Sequence, residues 1–171
     1  MSVEWTEELC IKNEVHELEI PWGVLDREAS DSGSYILILR IAHDITIPVG
    51  SLGRVFFPRG HYMYVGSSKL NLTKRMEGHL RKRKRYFWHV DYLRDHAETC
   101  TALPIRSHAS LEHEVAAALK RIANWSVPGF GSSDCSCETH LFAIQDNPLQ
   151  NRGFIEMLQY FRMDCLGAEL R

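Results

Sequence analysis

The stretch Ser34-Tyr35-Ile36-Leu37-Ile38-Leu39-Arg40-Ile41 is apolar on both alternating faces and rich in aromatic and β-branched residues. A strand with one solvated face would alternate polar and apolar positions, so this run predicts a central strand covered on both sides. Downstream, Ile45 to Val49 and Arg54 to Phe57 flank Gly50-Ser51-Leu52-Gly53, a hairpin signature. Pro58-Arg59-Gly60 then turns the chain into His61-Tyr62-Met63-Tyr64-Val65-Gly66, a further short strand. This first third of the domain reads as a meander of strands.

From Leu72 the period changes. Leu72, Met76 and Leu80 recur every four residues and predict the buried stripe of a helix, with Asn71 as its cap. Trp88 to His96 reads as a second helix or turn and Thr99 to Ile105 as a strand. Ser110 is expected to cap a helix over Leu111 to Ile122, whose inner face is Leu111, Val115, Ala118, Leu119 and Ile122. Val127 to Ser133 is a glycine-rich loop, His140 to Ile144 a strand, and Phe154 to Phe161 a terminal amphipathic helix. The expected class is α/β (α+β), with a small mixed, mostly antiparallel sheet flanked by helices. The expected organisation is an acidic extension over 1–31, a domain over 32–146 and a helical extension over 147–171.

A chain of 171 residues with 44% hydrophobic and 25% charged residues can bury one core, which excludes wholesale disorder. No apolar run approaches the roughly 20 residues of a membrane-spanning helix, and Met1 to Cys10 lacks an apolar signal region. Five cysteines (Cys10, Cys100, Cys135, Cys137, Cys165) at irregular spacing argue against a disulfide scaffold and for a reducing, cytoplasmic setting. The net charge of −2 conceals an asymmetry. Residues 1–31 carry nine acids against Lys12 and Arg27, whereas Lys74 to Arg85 holds seven basic residues and one acid, Glu77. Local charge density rather than net charge attracts a polyanion, so Lys74, Arg81, Lys82, Arg83, Lys84 and Arg85 are candidate nucleic-acid-binding residues. A solvated helix face is the plainer reading of such a run.

The arrangement Gly33-x-Tyr35 on one strand, Tyr64-Val65-Gly66 on another, Arg75 in the next helix and Glu112 in a later one resembles the GIY-YIG nuclease family. Trp88-His89-Val90-Asp91-Tyr92-Leu93 and Gly129-Phe130-Gly131-Ser132-Ser133-Asp134-Cys135-x-Cys137-x-x-His140-Leu141-Phe142 resemble, more narrowly, a GIY-YIG-like branch sometimes fused to endonuclease III. The resemblance covers about Gly33 to Ile144. It implies a divalent-metal-dependent endonuclease acting on DNA, repair or branched structures among its substrates, with one Mg²⁺ or Mn²⁺ held by Glu112. A catalytically silent nucleic-acid-binding module of the same fold is the alternative.

The residue chemistry is compatible with that implication. Tyr35, with Tyr64 beside it, offers a phenol that can orient or deprotonate water if a neighbour lowers its barrier, the ordinary pKa being near 10. Arg75 presents a permanently charged planar fork suited to phosphate oxygens. Glu112 is a hard oxygen ligand for one ion. His79, one turn after Arg75, is a candidate for proton transfer. Each also has an ordinary reading: core tyrosines in a sheet, a surface arginine, a histidine packed beside the sheet, a first-turn glutamate with Glu114 as its competitor. The separation of 29 positions from Tyr35 to Tyr64 exceeds that of compact relatives, and Ser67 stands where several relatives place a lysine.

His89, Asp91, Asp134, Cys135, Cys137 and His140 form a second constellation. Cys-x-Cys-x-x-His lacks the paired spacing of common structural zinc sites, and a fourth ligand would have to come from elsewhere, His89 being the candidate. A cysteine nucleophile, Cys135 with His140 or His89, is a further reading. The favoured reading is a supporting shell around the tyrosines and arginine, with Asp134 and His140 holding backbone or side chains and His89 and Asp91 near the phosphate path.

Overall fold

The computed structural model describes residues 31–164. The acidic extension, apart from Asp31, lies outside the described residues, as do Cys10 and Cys165. The chain runs β1 (Gly33–Ile41), β2 (Ile45–Pro48), β3 (Arg54–Phe57), β4 (Gly60–Ser68), α1 (Leu72–Leu80), α2 (His89–His96), β5 (Thr99–Arg106), α3 (Glu112–Ile122), β6 (Trp125–Ser126), β7 (Leu141–Ile144) and α4 (Arg152–Gln159). A π-helical turn, Tyr160–Asp164, continues α4. Five strands form one sheet in the order β5-β1-β4-β7-β6, with every pairing antiparallel, and β2-β3 form a separate two-stranded sheet. The architecture is α+β.

β1 is paired on both edges and buried on both faces, as its continuous apolar run requires. The odd-numbered residues Tyr35, Leu37, Leu39 and Ile41 join Tyr62 and Tyr64 of β4 in a core with Ile47 and Phe57 of the small sheet, Leu72 and Met76 of α1, and Val90 and Leu93 of α2. Ile36, Ile38, Met63 and Val65 alternate to the opposite face and are equally buried. α3 packs on β4 and β7 and against α4, whose Phe154 and Leu158 are also buried.

Several local expectations are corrected. The early strands do not form a meander: β1 pairs directly with β4, and the β2-β3 hairpin is set aside in its own sheet. The buried positions of α1 are Leu72, Met76 and His79, with Leu80 only half-buried. Asn71 adopts left-handed backbone and caps nothing with its side chain. Asp31 does so instead, its Oδ1 accepting from the Thr73 amide at 3.0 Å and its backbone carbonyl from the Leu72 amide. Ser110 is likewise not the cap of α3: Ser34 Oγ, on β1, accepts from the Leu111 amide at 2.9 Å.

The basic run does not extend the helix that bears Arg75. α1 stops at Leu80, Arg81 is extended, and Arg83 is in left-handed backbone. The last carbonyls of α1 are satisfied by cations from outside it, Gly78 O by Lys84 Nζ at 2.6 Å and Leu80 O by Arg94 Nη2 at 2.7 Å. These contacts replace the amides that a longer helix would have supplied.

Candidate active site

The site forms where β1 begins and β4 ends. Tyr35 lies opposite Gly66 in the ladder, and Tyr64 stands two residues along the same face of β4, a diagonal neighbour. The tyrosine ring folds across Gly66, where a Cβ would overlap the phenol. Gly131, at φ +71°, backs the Tyr64 ring, and a Cβ there would come within 2.7 Å of Cε2. Two glycines thus shape the space around two phenols.

From Tyr35 a continuous polar chain runs outward. Its hydroxyl meets His79 Nε2 at 2.9 Å, and His79 Nδ1 lies 3.2 Å from Asp91 Oδ1. Lys84 Nζ approaches the same oxygen at 2.5 Å, and the amides of Phe87 and Trp88 donate to Oδ2 at 3.0 Å each. Tyr35, His79 and Asp91 are all nearly inaccessible. Burial opposes the charge on Asp91, but the His79 and Lys84 contacts and the two amides outweigh it and hold the carboxyl well below its ordinary range. In the tautomer that gives its Nδ1–H to the Asp91 carboxylate, His79 presents Nε2 as acceptor for the Tyr35 hydroxyl. The Tyr35 phenol itself is pushed up by burial, partly offset by the Arg75 guanidinium, so it rests protonated at neutral pH.

A second chain meets the first from the other side. Ser67 Oγ donates to Glu112 Oε2 in a short contact, and His140 Nδ1 lies 2.8 Å from Glu112 Oε1. His140 Nε2 continues to Cys135 Sγ at 3.3 Å. Burial raises the Glu112 carboxyl, but the contacts from His140 and Ser67 more than reverse it, so the carboxylate is anionic. Glu112 and Asp91 both bear electrostatically on Tyr35 and Tyr64. Glu114, the competitor, is exposed.

An open groove of about 500 Å³ runs along the outer side of the first chain, with the buried His79 and Asp91 among the residues that line it. Lys74, Arg75, Lys84 and Arg85 line it together with Phe87 and Trp88, which are 75% and 45% exposed. Arg75 lies over the Trp88 ring at 5.1 Å, and Arg85 over Phe87 at 5.5 Å. Arg81, Lys82 and Arg83 are exposed on the loop that leads away from α1.

The structure therefore brings Tyr35, Tyr64, Arg75, His79 and Glu112 together from β1, β4, α1 and α3. His79 does not share the solvent face of Arg75; it is buried between Tyr35 and Asp91. Lys84 departs from the rest of the basic run, being committed to Asp91 and Gly78. His89 is not beside the two cysteines: its Nδ1 accepts from the Gly131 amide at 3.0 Å, and burial lowers its pKa. It anchors the loop that backs Tyr64. Asp134 is exposed, and its charge reaches Tyr64 only weakly. Cys135, Cys137 and His140 gather with His113, whose Nδ1 is 2.9 Å from Cys137 Sγ. His113 was the participant that spacing did not single out, although it adjoins Glu112; Lys84 was expected on a nucleic-acid backbone and instead meets Asp91, and Ser67, noted only as a departure from relatives, donates to Glu112.

No helix among the described residues is long and apolar enough to cross a membrane. No curated protein and no solved structure matches the chain. Residues 34–163, from the start of β1 through the last turn, match the family described as Domain of unknown function DUF123. The matched span includes every element that builds the site, and the chain belongs to that family.

Proposed function

We propose that this chain is a divalent-metal-dependent endonuclease that hydrolyses phosphodiester bonds in DNA, of the GIY-YIG type that its sequence resembles. The observation that carries the reading is the buried Tyr35-His79-Asp91 chain, set between Arg75 and an ionised Glu112. A phenol cannot act as a base at neutral pH while burial keeps it protonated. Relayed through His79 it can: as water attacks phosphorus, Tyr35 takes the water proton while its own passes to Nε2, and Asp91 stabilises the imidazolium. This answers the absence of a lysine at Ser67, since the base is completed from α1 and α2. Arg75 offers its fork to the nonbridging oxygens as the bond to the leaving oxygen breaks.

Glu112 fits a single hard cation: it is an anionic oxygen donor, only 20% exposed, with one contact recorded at each carboxylate oxygen. A bound Mg²⁺ or Mn²⁺ would supply Lewis acidity at the phosphate. Arg81, Lys82, Arg83 and Arg85 with Lys74 offer charge to a backbone, and Phe87 and Trp88 offer faces on which an unpaired base can stack. Replacing Arg81, Lys82, Arg83 and Arg85 together by serine is expected to weaken DNA binding at low salt and flatten its salt dependence. An unchanged slope in a filter-binding titration would make the run a solvated loop.

The decisive experiment is cleavage of labelled single-stranded, duplex, flap and branched DNA, with an RNA control, in Mg²⁺, Mn²⁺ or EDTA. Metal-dependent products from the wild type, lost in Tyr35→Phe, are expected. A second reading, a silent nucleic-acid-binding module, is favoured by the 2% exposure of Tyr35 and by the two contacts already held by Glu112. Salt-sensitive binding with no products on any substrate would decide for it.

A further inference from the structure

We propose that His113, Cys135, Cys137 and His140 bind one zinc ion. Their four ligand atoms all lie within 4.8 Å of one another. Zinc holds sulfur at about 2.3 Å and nitrogen at about 2.0 Å, so tetrahedral ligand atoms sit roughly 3.3 to 3.8 Å apart, a spacing close to the 2.9 Å between His113 Nδ1 and Cys137 Sγ and the 3.3 Å between His140 Nε2 and Cys135 Sγ. The donor set, two thiols and two imidazoles, is that of structural zinc. The unusual Cys-x-Cys-x-x-His spacing ceases to be an objection once the fourth ligand is seen to come from the first turn of α3 rather than from His89.

The surroundings of His140 argue the same way. It is 2% exposed, presents Nε2 to Cys135 Sγ and meets the Glu112 carboxylate with Nδ1. A zinc-ligating histidine commonly gives its second nitrogen to a carboxylate, which fixes tautomer and ring orientation and strengthens the ligand. The loop is also held in place independently of any metal. Thr139 Oγ1 donates to Val127 O, Gly129 N to Glu138 O and His140 N to Phe130 O, so the two cysteines are presented from a braced turn. On the other side His113 meets the His140 ring edge-on at 6.1 Å.

Cys135, His140 and Glu112 by themselves also have the order of a thiol, an imidazole and an orienting carboxylate, as in a cysteine nucleophile. That reading needs one thiolate and leaves Cys137 and His113, 2.9 Å apart on the same centre, without a role. One tetrahedral ion accounts for all four. The ion would lie one histidine away from Glu112, so it would hold the carboxylate of the proposed nuclease centre in place. The zinc proposal itself does not depend on that nuclease reading.

The full chain, produced in zinc-supplemented cells and measured by inductively coupled plasma mass spectrometry, is expected to carry one zinc per chain. Cys137→Ser and His113→Ala are expected to lose it, and Cys100→Ser, a thiol on β5, to keep it. His113 is exposed, so His113→Ala preserves the fold even if Cys137→Ser does not. Metal-free wild type titrated with Co²⁺ is expected to show thiolate-to-cobalt charge-transfer absorption and the intense visible bands of a tetrahedral site. Glu112→Gln is expected to weaken zinc affinity about 10- to 100-fold without changing the stoichiometry. Wild type without zinc and without the cobalt spectrum, or a single fast-alkylating thiolate at Cys135 in zinc-replete protein, would overturn the proposal. So would full zinc occupancy in His113→Ala.

Discussion

Glu112→Ala is expected to lower metal-dependent DNA cleavage by about a thousand-fold while leaving DNA affinity nearly intact. An ion held by Glu112 would supply several kcal/mol of charge stabilisation at the reacting phosphate, and each 1.36 kcal/mol is a factor of about ten in rate. Glu112 is not among the residues that line the basic groove, so the DNA binding proposed for Lys74, Arg85 and the exposed loop arginines would not depend on it. Glu114→Ala, one residue past His113 and exposed, is expected to cleave like the wild type. Single-turnover cleavage alongside filter binding makes the distinction. Equal loss in both variants would move the metal site, and lost affinity in Glu112→Ala would mean that the carboxylate holds the fold rather than the ion.

The second large effect is expected at Asp91, where function and stability meet. Asp91→Ala removes the anion that orients His79 and leaves Lys84, 22% exposed, without its counter-charge. Removing one partner of a buried ion pair costs about 3 to 5 kcal/mol, here discounted towards the lower figure because the lysine reaches water. Two backbone amides, of Phe87 and Trp88, lose their acceptor as well. The expected result is a lower urea midpoint with an unchanged slope, and loss of cleavage even where the protein is folded.

The sign of the pH dependence follows from the same contacts. The folded carboxyl of Asp91 titrates below its unfolded value, which lies near 3.9. Its contribution is therefore fully present above about pH 4 and is lost as pH falls through the folded value. Glu112 is shifted in the same direction and adds to the trend. Wild type should lose stability from about pH 4 downward more steeply than Asp91→Asn, whose neutral side chain has no proton to gain. Parallel acid-unfolding curves for the two proteins would remove Asp91 from this account.

The strands and helices were legible because their signals are local. The doubly apolar run of β1, the turn residues between β2 and β3, and the four-residue recurrence in α1 each depend only on neighbours along the chain. Tyr35, Tyr64, Arg75, His79 and Glu112 could be picked out by residue type and by the kind of element that carries each. Their convergence was expected but not derivable, because the 29-position separation of the two tyrosines hides a hairpin that pairs with itself.

What stops and starts the helices was decided elsewhere. Asn71 and Ser110 stand where a cap belongs, yet Asp31 and Ser34 do the capping from distant positions, since an unpaired amide takes whichever acceptor tertiary packing brings closest. The basic run reads as helix until Lys84 and Arg94 take the carbonyls of Gly78 and Leu80 and end it. By itself, then, the sequence determined the elements, their faces and the identity of the polar residues available for chemistry. Only the tertiary structure decided which of those residues meet: Tyr35 with His79, His79 with Asp91, Glu112 with His140, and His113 with the cysteine loop. Such contacts span 12 to 44 positions and depend on strand register and on how loops close, and no periodicity along the chain encodes either.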